Sequence, residues 1–181
     1  MLFINFHAGI DGKTSQTLMS VLAEQVNIGE KEVCLMLSSP GGATNSGITL
    51  FNYIKSLPIK TITFNIGIVD SIANIVLLAG TERYAVPNSS FLFHGVALNI
   101  LQQARFDEKQ IKEGLLSIER DQKLITDIIV ANSKLDSDKV KEMFLEAKTL
   151  TPIEAKTANI INDVKPLVIP QGAKILPLVF Q

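Results

Sequence analysis

The fold is decided by residues 33–42, which read VCLMLSSPGG. Residues 33–38 form a short apolar run, which is typical of a buried strand. The run ends at a Pro-Gly-Gly sequence that favours a tight turn. Apolar residues then recur at helical spacing as far as Leu57, and Pro58 ends the predicted helix. The stretch therefore predicts a strand that turns sharply into a helix.

The same alternation continues on both sides of this unit. Residues 1–8 predict an edge strand, and residues 14–25 have the apolar spacing of a helix. Residues 61–66 are rich in β-branched side chains and predict a second buried strand, which Gly67 breaks. Residues 71–79 predict a short buried helix. This order of strands and helices predicts parallel strands with helices outside them, an α/β fold.

The second half of the chain predicts shorter strands and one long helix. Residues 83–93 predict two short strands, and a helical pattern then runs over residues 102–131. Residues 151–154 (TPIE) form a capping box with proline at the first helical position, so a further helix begins there. Later prolines exclude a helix, which predicts a domain of residues 1–165 and an extended, packed tail of residues 166–181.

Composition excludes several classes of function. The 181 residues, 46% of them hydrophobic, suit one globular domain, and the net charge of −1 argues against a nucleic-acid partner. A single cysteine excludes an intramolecular disulfide and a Cys-rich zinc site. No stretch approaches the ~18 apolar residues that cross a membrane. The N-terminus has no signal-type pattern, so we expect a cytoplasmic protein without a membrane partner.

Ser71 is the first candidate for chemistry, because an apolar strand ends and a helix begins there. A hydroxyl at that point projects above the sheet, beside helix N-terminal amides that stabilise a developing oxyanion. The alternative is an ordinary N-cap serine, a residue favoured at helix starts.

His94 and the loop at residues 39–42 are the other candidates. His94 ends a predicted strand, and the ends of parallel strands line the crevice where sites form, so it can face a serine that ends another strand. The alternative is a hydrogen-bonded structural histidine. The two glycines of residues 39–42 let backbone N–H groups approach an oxyanion or a phosphate closely, and the alternative is a simple tight turn.

Taken together, three segments resemble the Clp protease proteolytic subunit family, which has the ClpP/crotonase-like fold. The segments are residues 37–42 (LSSPGG), 67–71 (GIVDS) and 86–94 (VPNSSFLFH). The family has Ser-Pro-Gly-Gly, then the nucleophile turn Gly-Gln-Ala-Ala-Ser-Met-Gly-Ala, then Leu-Pro-Asn-Ser…His, in this order. The predicted helix at 102–131 is similar to the family's handle helix, and the resemblance covers roughly residues 1–165. It implies stacked βαβ units with a projecting handle helix.

The resemblance implies a role for each matching position. Ser71 would be the nucleophile and His94 the general base, and the backbone N–H groups of Gly42 and Ile72 would form the oxyanion hole. The implied protein is a serine endopeptidase that needs no metal or cofactor. It would assemble into a homo-oligomeric ring and cleave peptide substrates through an acyl-enzyme.

Three departures from the family pattern matter. Ala147 occupies the position of the family's triad aspartate. Glu146 is the predicted substitute, Asp163 is a second option, and a Ser–His dyad oriented by backbone or water is a third. Asp70 replaces the small residue directly before Ser71. The family's segment before the first strand is missing, which argues against docking to an AAA+ unfoldase.

Two other functions compete with the peptidase. A missing triad acid is also what a catalytically impaired ring subunit or scaffold would have. A crotonase-type enzyme would use the glycine-rich loop to hold an acyl-CoA enolate. Such an enzyme would need a basic or aromatic feature for the adenine near residues 40–42, and the sequence has none there.

Overall fold

A computed structural model of the chain describes residues 1–97, 105–178 and 180. Its elements, in chain order, are β1 (Leu2–His7), α1 (Gly12–Asn27), β2 (Glu32–Ser39), α2 (Thr44–Ser56), β3 (Lys60–Asp70), α3 (Ala73–Leu78), β4 (Glu82–Ala85), β5 (Ser90–Phe93), α4 (Glu108–Asn132), α5 (Ser137–Glu146), β6 (Lys148–Leu150), α6 (Pro152–Thr157), β7 (Asp163–Val164) and β8 (Lys174–Pro177). The capping box predicted at residues 151–154 is present, because Thr151 and Glu154 bond each other's backbone at the start of α6.

The strands form one eight-stranded sheet. Its order is β6-β5-β3-β2-β1-β8, with β4 beside β3 and β7 beside β4. Neighbouring strands are parallel except β5 and β6, which are antiparallel. Helices connect the parallel strands because a parallel pair needs a long crossover. The structure thus confirms the predicted α/β class.

Side chains of the central strands alternate between two apolar layers. One face of the sheet packs against helices α1, α2 and α3 and forms the main core. The opposite face has a smaller cluster, which Leu167 and Ala173 of the C-terminal segment partly cover. This smaller cluster consists of Phe3, Cys34, Met36 and Phe64. Both faces are therefore apolar, as expected for parallel strands that are covered on both sides.

The prediction that residues 1–8 form an edge strand is wrong. β8 pairs in parallel with the outer side of β1, from Leu2↔Lys174 to Asn5↔Pro177. The returning tail supplies partners for the row of N–H and C=O groups that an edge strand leaves open. The division into a domain of residues 1–165 and a tail of residues 166–181 stays a prediction.

The prediction that Gly67 breaks the second strand is also wrong, because β3 continues through it to Asp70. The Asn65 side chain accepts a hydrogen bond from Gly67 N–H and donates one to Ser90 O, both at 2.9 Å. The first half of β3 pairs with β4 and the second half with β5. The last residues of β3 therefore lie beside β5, next to the candidate residues at the ends of both strands.

The long helix begins later than its apolar pattern predicts. Asp107 and Gln110 cap each other at 2.8 and 3.0 Å, so α4 starts at Glu108. Residues 98–104, which contain the predicted start, lie outside the described residues. The buried residues of this 25-residue helix, all in its second half, are Asp121, Ile125, Thr126 and Ile129. The first half of α4 therefore extends from the packed body.

Candidate active site

Ser71 lies in the turn that joins β3 to α3. Its φ of 55° is in the left-handed region, which costs a non-glycine residue about 1–3 kcal/mol. The Ser71 N–H donates to Leu92 O on β5 at 2.8 Å, and this bond holds the turn against the sheet. A strained strand-to-helix turn is the geometry in which a nucleophilic serine is exposed at the edge of a sheet.

His94 follows β5 directly and shares a cavity with Ser71. β5 pairs with β3 in the register Asp70↔Leu92, so the chain leaves both strands at the same edge. Within the described part of the chain, no hydrogen bond joins Ser71 Oγ to the imidazole, and such contacts are often long without substrate. The cavity of about 240 Å³ is lined by Pro40, Gly42, Thr44, Ser71, Ile72, Phe93, His94, Gly95, Val96, Ala97, Ile125, Ile129 and Phe144.

The loop after β2 packs directly on the Ser71 turn. Gly41 has a φ of 88°, and a Cβ there would lie 2.8 Å from Ser71 Cβ. Gly42 has a φ of 148°, and a Cβ there would collide with the Ile10 carbonyl. The Ile10 N–H, just before α1, donates to Gly41 O at 2.8 Å and stabilises the loop. Both glycines are therefore required by close approach as well as by conformation.

The predicted oxyanion donors face the same cavity. Gly42 and Ile72 both line it. Among residues 1–97, 105–178 and 180, neither backbone N–H has a hydrogen-bond acceptor. Two unpaired N–H groups beside a hydroxyl can stabilise a negative oxygen that forms there.

The imidazole of His94 is oriented by the main chain. Its Nδ1 lies 2.8 Å from Gly95 O. Because a carbonyl oxygen can only accept, this contact assigns the proton to Nδ1 and leaves Nε2 as the basic nitrogen. The Gly95 N–H donates to Phe144 O at the end of α5 at 3.3 Å, which fixes the loop. A backbone group therefore occupies the place of a triad carboxylate.

Ala147 lies between α5 and β6. The antiparallel pairing of β5 with β6 ends at Phe93 opposite Lys148, so it includes neither His94 nor Ala147. Ala147 has a φ of 50°, the left-handed conformation in which α5 ends. Its methyl group is exposed, and Ala147 does not line the cavity that Ser71 and His94 share.

The two candidate carboxylates make no contact with His94. Glu146 is exposed at the last position of α5, and its side chain does not line the cavity. Asp163 accepts hydrogen bonds from Lys156 Nζ at 2.6 Å and from Val164 N–H at 2.9 Å. A role for Glu146 as the third member of a triad stays a prediction.

Asp70, directly before Ser71, has an unusual environment. Its Oδ1 accepts a hydrogen bond from Leu92 N–H at 3.2 Å. Burial raises the pKa of the Asp70 carboxyl above its ordinary value, while the Leu92 hydrogen bond and the nearby His94 act in the opposite direction. A carboxylate thus stands near the imidazole on the side of β3.

Sequence reasoning missed Asn74 and the carbonyl of Gly95. Asn74 is fully buried, and its Nδ2 donates to Ser71 O at 3.1 Å and to Leu92 O at 2.8 Å. One signal was available, since Asn74 is the only polar residue in the apolar run of residues 72–79. The Gly95 contact has no such signal, because every residue has a carbonyl.

A hydroxyl, an imidazole with a basic Nε2 and two unpaired amides around one cavity are the groups that acyl transfer requires. In the part of the chain that the structure describes, no three His, Cys, Asp or Glu side chains are grouped to hold a metal ion.

Comparison with known proteins specifies the family. The model of the Clp protease family matches residues 3–166, and the chain belongs to that family. It is 26% identical over 174 residues to the ATP-dependent Clp protease proteolytic subunit 4, chloroplastic, of Arabidopsis thaliana, covering 94% of this chain and 56% of the relative. It is 24% identical over 160 residues to the ATP-dependent Clp protease proteolytic subunit of Bdellovibrio bacteriovorus, covering 83% and 74%.

A solved structure has the same fold. A mutant of ClpP1 from Listeria monocytogenes superposes with a TM-score of 0.78 at 18% identity, over 90% of both chains. The chain spans 56% of the length of the Arabidopsis relative. These findings confirm the family and the fold that the three motifs predict.

Proposed function

We propose that this protein is a serine-type peptidase that cleaves peptides through an acyl-enzyme on Ser71. One observation carries the proposal: a strained Ser71 shares a cavity with His94, whose Nδ1 is bound to Gly95 O, beside the unpaired amides of Gly42 and Ile72. Membership in the Clp protease family supports the same reading.

The reaction would proceed in two halves. Ser71 Oγ attacks the carbonyl carbon of the scissile peptide while His94 Nε2 accepts the hydroxyl proton. The N–H groups of Gly42 and Ile72 donate to the oxyanion, and His94 then transfers the proton to the departing amine as the C–N bond breaks. In the second half His94 deprotonates a water molecule, which attacks the ester and releases the acid, and Ser71 regains its proton.

The cavity favours an apolar substrate side chain beside the scissile bond. Phe93, Ile125, Ile129 and Phe144 contribute to its wall. Beside these four side chains a charged group would lose its hydration, whereas Thr44, Ser71 and His94 form the polar part of the wall where the reacting peptide group would lie. We therefore propose peptides with an apolar residue at the cleavage site as the substrate class.

Labelling of the serine tests the proposal. We expect a fluorophosphonate probe to add one adduct to the protein, because the probe reacts with hydroxyls activated by a base. Intact-mass measurement detects the adduct, and Ser71→Ala is the control that should remain unlabelled. A parent protein without an adduct in every assembly state would contradict the proposal.

Assembly and location extend the proposal. We propose a homo-oligomeric ring, supported by family membership and by exposed apolar side chains on α4, namely Ile111, Leu115 and Leu116.

The argument against an AAA+ unfoldase partner and the cytoplasmic location both stay predictions, and one relative is named as chloroplastic. In the described part of the chain, none of the helices has the length and hydrophobicity of a membrane span.

A catalytically impaired ring subunit is the second candidate. The observation that favours it is Ala147, which carries no carboxylate at the position where the family has its triad aspartate. In a working triad, loss of that carboxylate costs about 10⁴ in kcat. A protein of this kind would bind peptides without cleaving them efficiently.

Ala147→Asp distinguishes the two candidates. Asp and Asn both tolerate the left-handed conformation of this position, so Ala147→Asn is a matched control without the charge. If the parent is an active peptidase, we expect Ala147→Asp to raise kcat about tenfold or more, because the carboxylate stabilises the imidazolium. An inactive parent with an active Asp variant would favour the impaired subunit. Peptide hydrolysis by both variants and the parent measures the difference.

A further inference from the structure

Three hydrogen bonds connect the backbone of Leu92 to residues at and beside Ser71. Its N–H donates to Asp70 Oδ1 at 3.2 Å. Its carbonyl accepts from Ser71 N–H and from Asn74 Nδ2, both at 2.8 Å. Asn74 Nδ2 also donates to Ser71 O at 3.1 Å. One side-chain amide therefore bridges the turn that carries Ser71 and the strand that ends at His94.

Asn74 makes these bonds at a cost in folding stability. Its side chain is fully buried, and its Oδ1 has no hydrogen-bond partner among the described residues. An unpaired buried amide oxygen destabilises a fold by about 1–3 kcal/mol, which an apolar residue at the same place would avoid. A buried polar group of this kind needs an explanation beyond packing.

The residues on both sides of Ser71 distinguish this chain from its family. The family's nucleophile turn has alanine directly before the serine and alanine three positions after it. Here the same positions are Asp70 and Asn74, and both side chains bind Leu92. An alanine side chain makes neither bond.

We propose that Asn74 is a positioning residue for the Ser71–His94 pair. Its side chain hydrogen-bonds both the Ser71 turn and Leu92 and so fixes the position of Ser71 relative to His94. The inference rests on the peptidase function proposed above. His94 is two residues beyond Leu92, and its Nδ1 is held by the neighbouring carbonyl of Gly95. Because no described carboxylate bonds that nitrogen, the hydrogen bonds between the Ser71 turn and Leu92 determine where the imidazole lies relative to the hydroxyl.

Asn65 provides a matched control. Like Asn74, Asn65 is a fully buried asparagine, but it lies on β3. Its Nδ2 donates to Ser90 O on β5 at 2.9 Å. It differs from Asn74 in its distance along the chain from Ser71 and in its Oδ1, which accepts from Gly67 N–H. Its removal therefore weakens the same strand pair without touching the Ser71 turn.

The test compares Asn74→Ala with Asn65→Ala in the full-length protein. Displacement of a reacting group by about 1 Å costs up to about 100-fold in rate, so we expect Asn74→Ala to lower kcat by about 10-fold to 100-fold with KM unchanged. Its melting temperature should stay close to the parent's, because the unpaired oxygen is removed with the amide. Asn65→Ala should show the reverse, a lower melting temperature and the parent's kcat.

Amide hydrogen exchange gives a readout that does not depend on activity. Mass spectrometry of peptides that contain Ser71 and Leu92 should show faster exchange in Asn74→Ala than in the parent, and no such change in Asn65→Ala. Parental kcat in Asn74→Ala, or a kcat that falls only together with the melting temperature, would overturn the inference. If the parent is not labelled by the fluorophosphonate, the proposed function fails separately. Unchanged exchange in Asn74→Ala would then overturn the bridge as well, and faster exchange would support it.

Discussion

The carboxyl of Asp70 is half-buried beside Ser71, and burial raises its pKa above the ordinary value. The folded protein therefore binds this proton more tightly than the unfolded chain does. The stability that follows is fully present below the ordinary pKa of 3.8 and is lost as the pH rises through the folded pKa. We expect Asp70→Asn to raise the free energy of unfolding at neutral pH, by at most about 1 kcal/mol because water screens the carboxyl. Near about pH 3 the difference should vanish.

Urea unfolding across this pH range measures the effect. The asparagine keeps an oxygen that can accept the Leu92 hydrogen bond, so the comparison isolates the charge. Asp163→Asn is a control of opposite sign, because Lys156 lowers the pKa of the Asp163 carboxyl. The stability from Asp163 is present above its ordinary pKa and is lost in acid, so Asp163→Asn should be less stable than the parent at neutral pH. An Asp70→Asn variant that is less stable at neutral pH would contradict the prediction.

Single residues were predictable where the sequence pattern marks their place in the sheet. Ser71 and His94 are candidates because each lies at the end of a predicted strand and the resemblance to the Clp family assigns both a role, and the structure brings both to one cavity. The orientation of the imidazole was not predictable, because it depends on the backbone carbonyl of Gly95. Every residue has such a carbonyl, so the sequence does not indicate which one binds the imidazole. The loss of the acid at Ala147 was visible, whereas its replacement by Gly95 O required coordinates.

Among the elements, the buried Arg83 side chain of β4 hydrogen-bonds the backbone at the ends of two helices. Arg83 donates from Nε to Ile160 O at 2.7 Å. Its Nη2 donates to Asn159 O at 2.9 Å and to Asn132 O at 3.2 Å. Burial lowers the pKa of the Arg83 guanidinium, and the three carbonyls at the ends of α4 and α6 compensate for its lost hydration.

We expect Arg83→Met to lower the free energy of unfolding by about 3 kcal/mol, because the buried Ile160 carbonyl and two partly buried carbonyls lose their donor at once. Arg83→Lys should not restore it, since an ammonium cannot reproduce the fork of the guanidinium. Lys60→Met is the control: Lys60 pairs with Glu32 and Glu82 at the surface, where such pairs contribute about 1 kcal/mol or less. Urea unfolding of the three variants measures the losses, and an Arg83→Met variant as stable as Lys60→Met would disprove the role.

The bounds of elements were predictable where local chemistry decides them. Thr151 and Glu154 cap α6 within four residues of sequence, and the structure has this cap. The end of β3 depends on a distant partner, because the residues after Gly67 hydrogen-bond to β5. Hydrophobic periodicity describes one segment at a time and cannot detect such a bond.

For the molecule as a whole, the C-terminal segment completes the sheet. β8 pairs with β1, and Leu178 N–H donates to Asn5 O at 3.1 Å beyond the end of the strand. The rings of Phe6 and Phe180 meet edge to face with centroids 5.5 Å apart. The side of β1 that the sequence predicts to be open is therefore occupied by β8, Leu178 and Phe180.

A chain that ends at Pro170 tests this closure. Its β1 would present unpaired N–H and C=O groups together with the apolar surface that Leu176, Leu178 and Phe180 leave, and both promote pairing between molecules. We expect the shortened chain to self-associate beyond the parent's assembly and to lose a few kcal/mol of stability, because each of these partly buried side chains contributes less than the roughly 1.5–3 kcal/mol of a fully buried one. Light scattering and urea unfolding measure the two effects.

Val168→Ser is the matched control for the shortened chain. Val168 belongs to the same segment but is 74% exposed, so its replacement should change neither association nor stability. If the shortened chain scatters and unfolds like Val168→Ser, the tail is a passive extension and β1 is stable as an edge strand. If it associates, the pairing of β8 with β1 protects the sheet as well as stabilising it, because the same N–H and C=O groups serve both purposes.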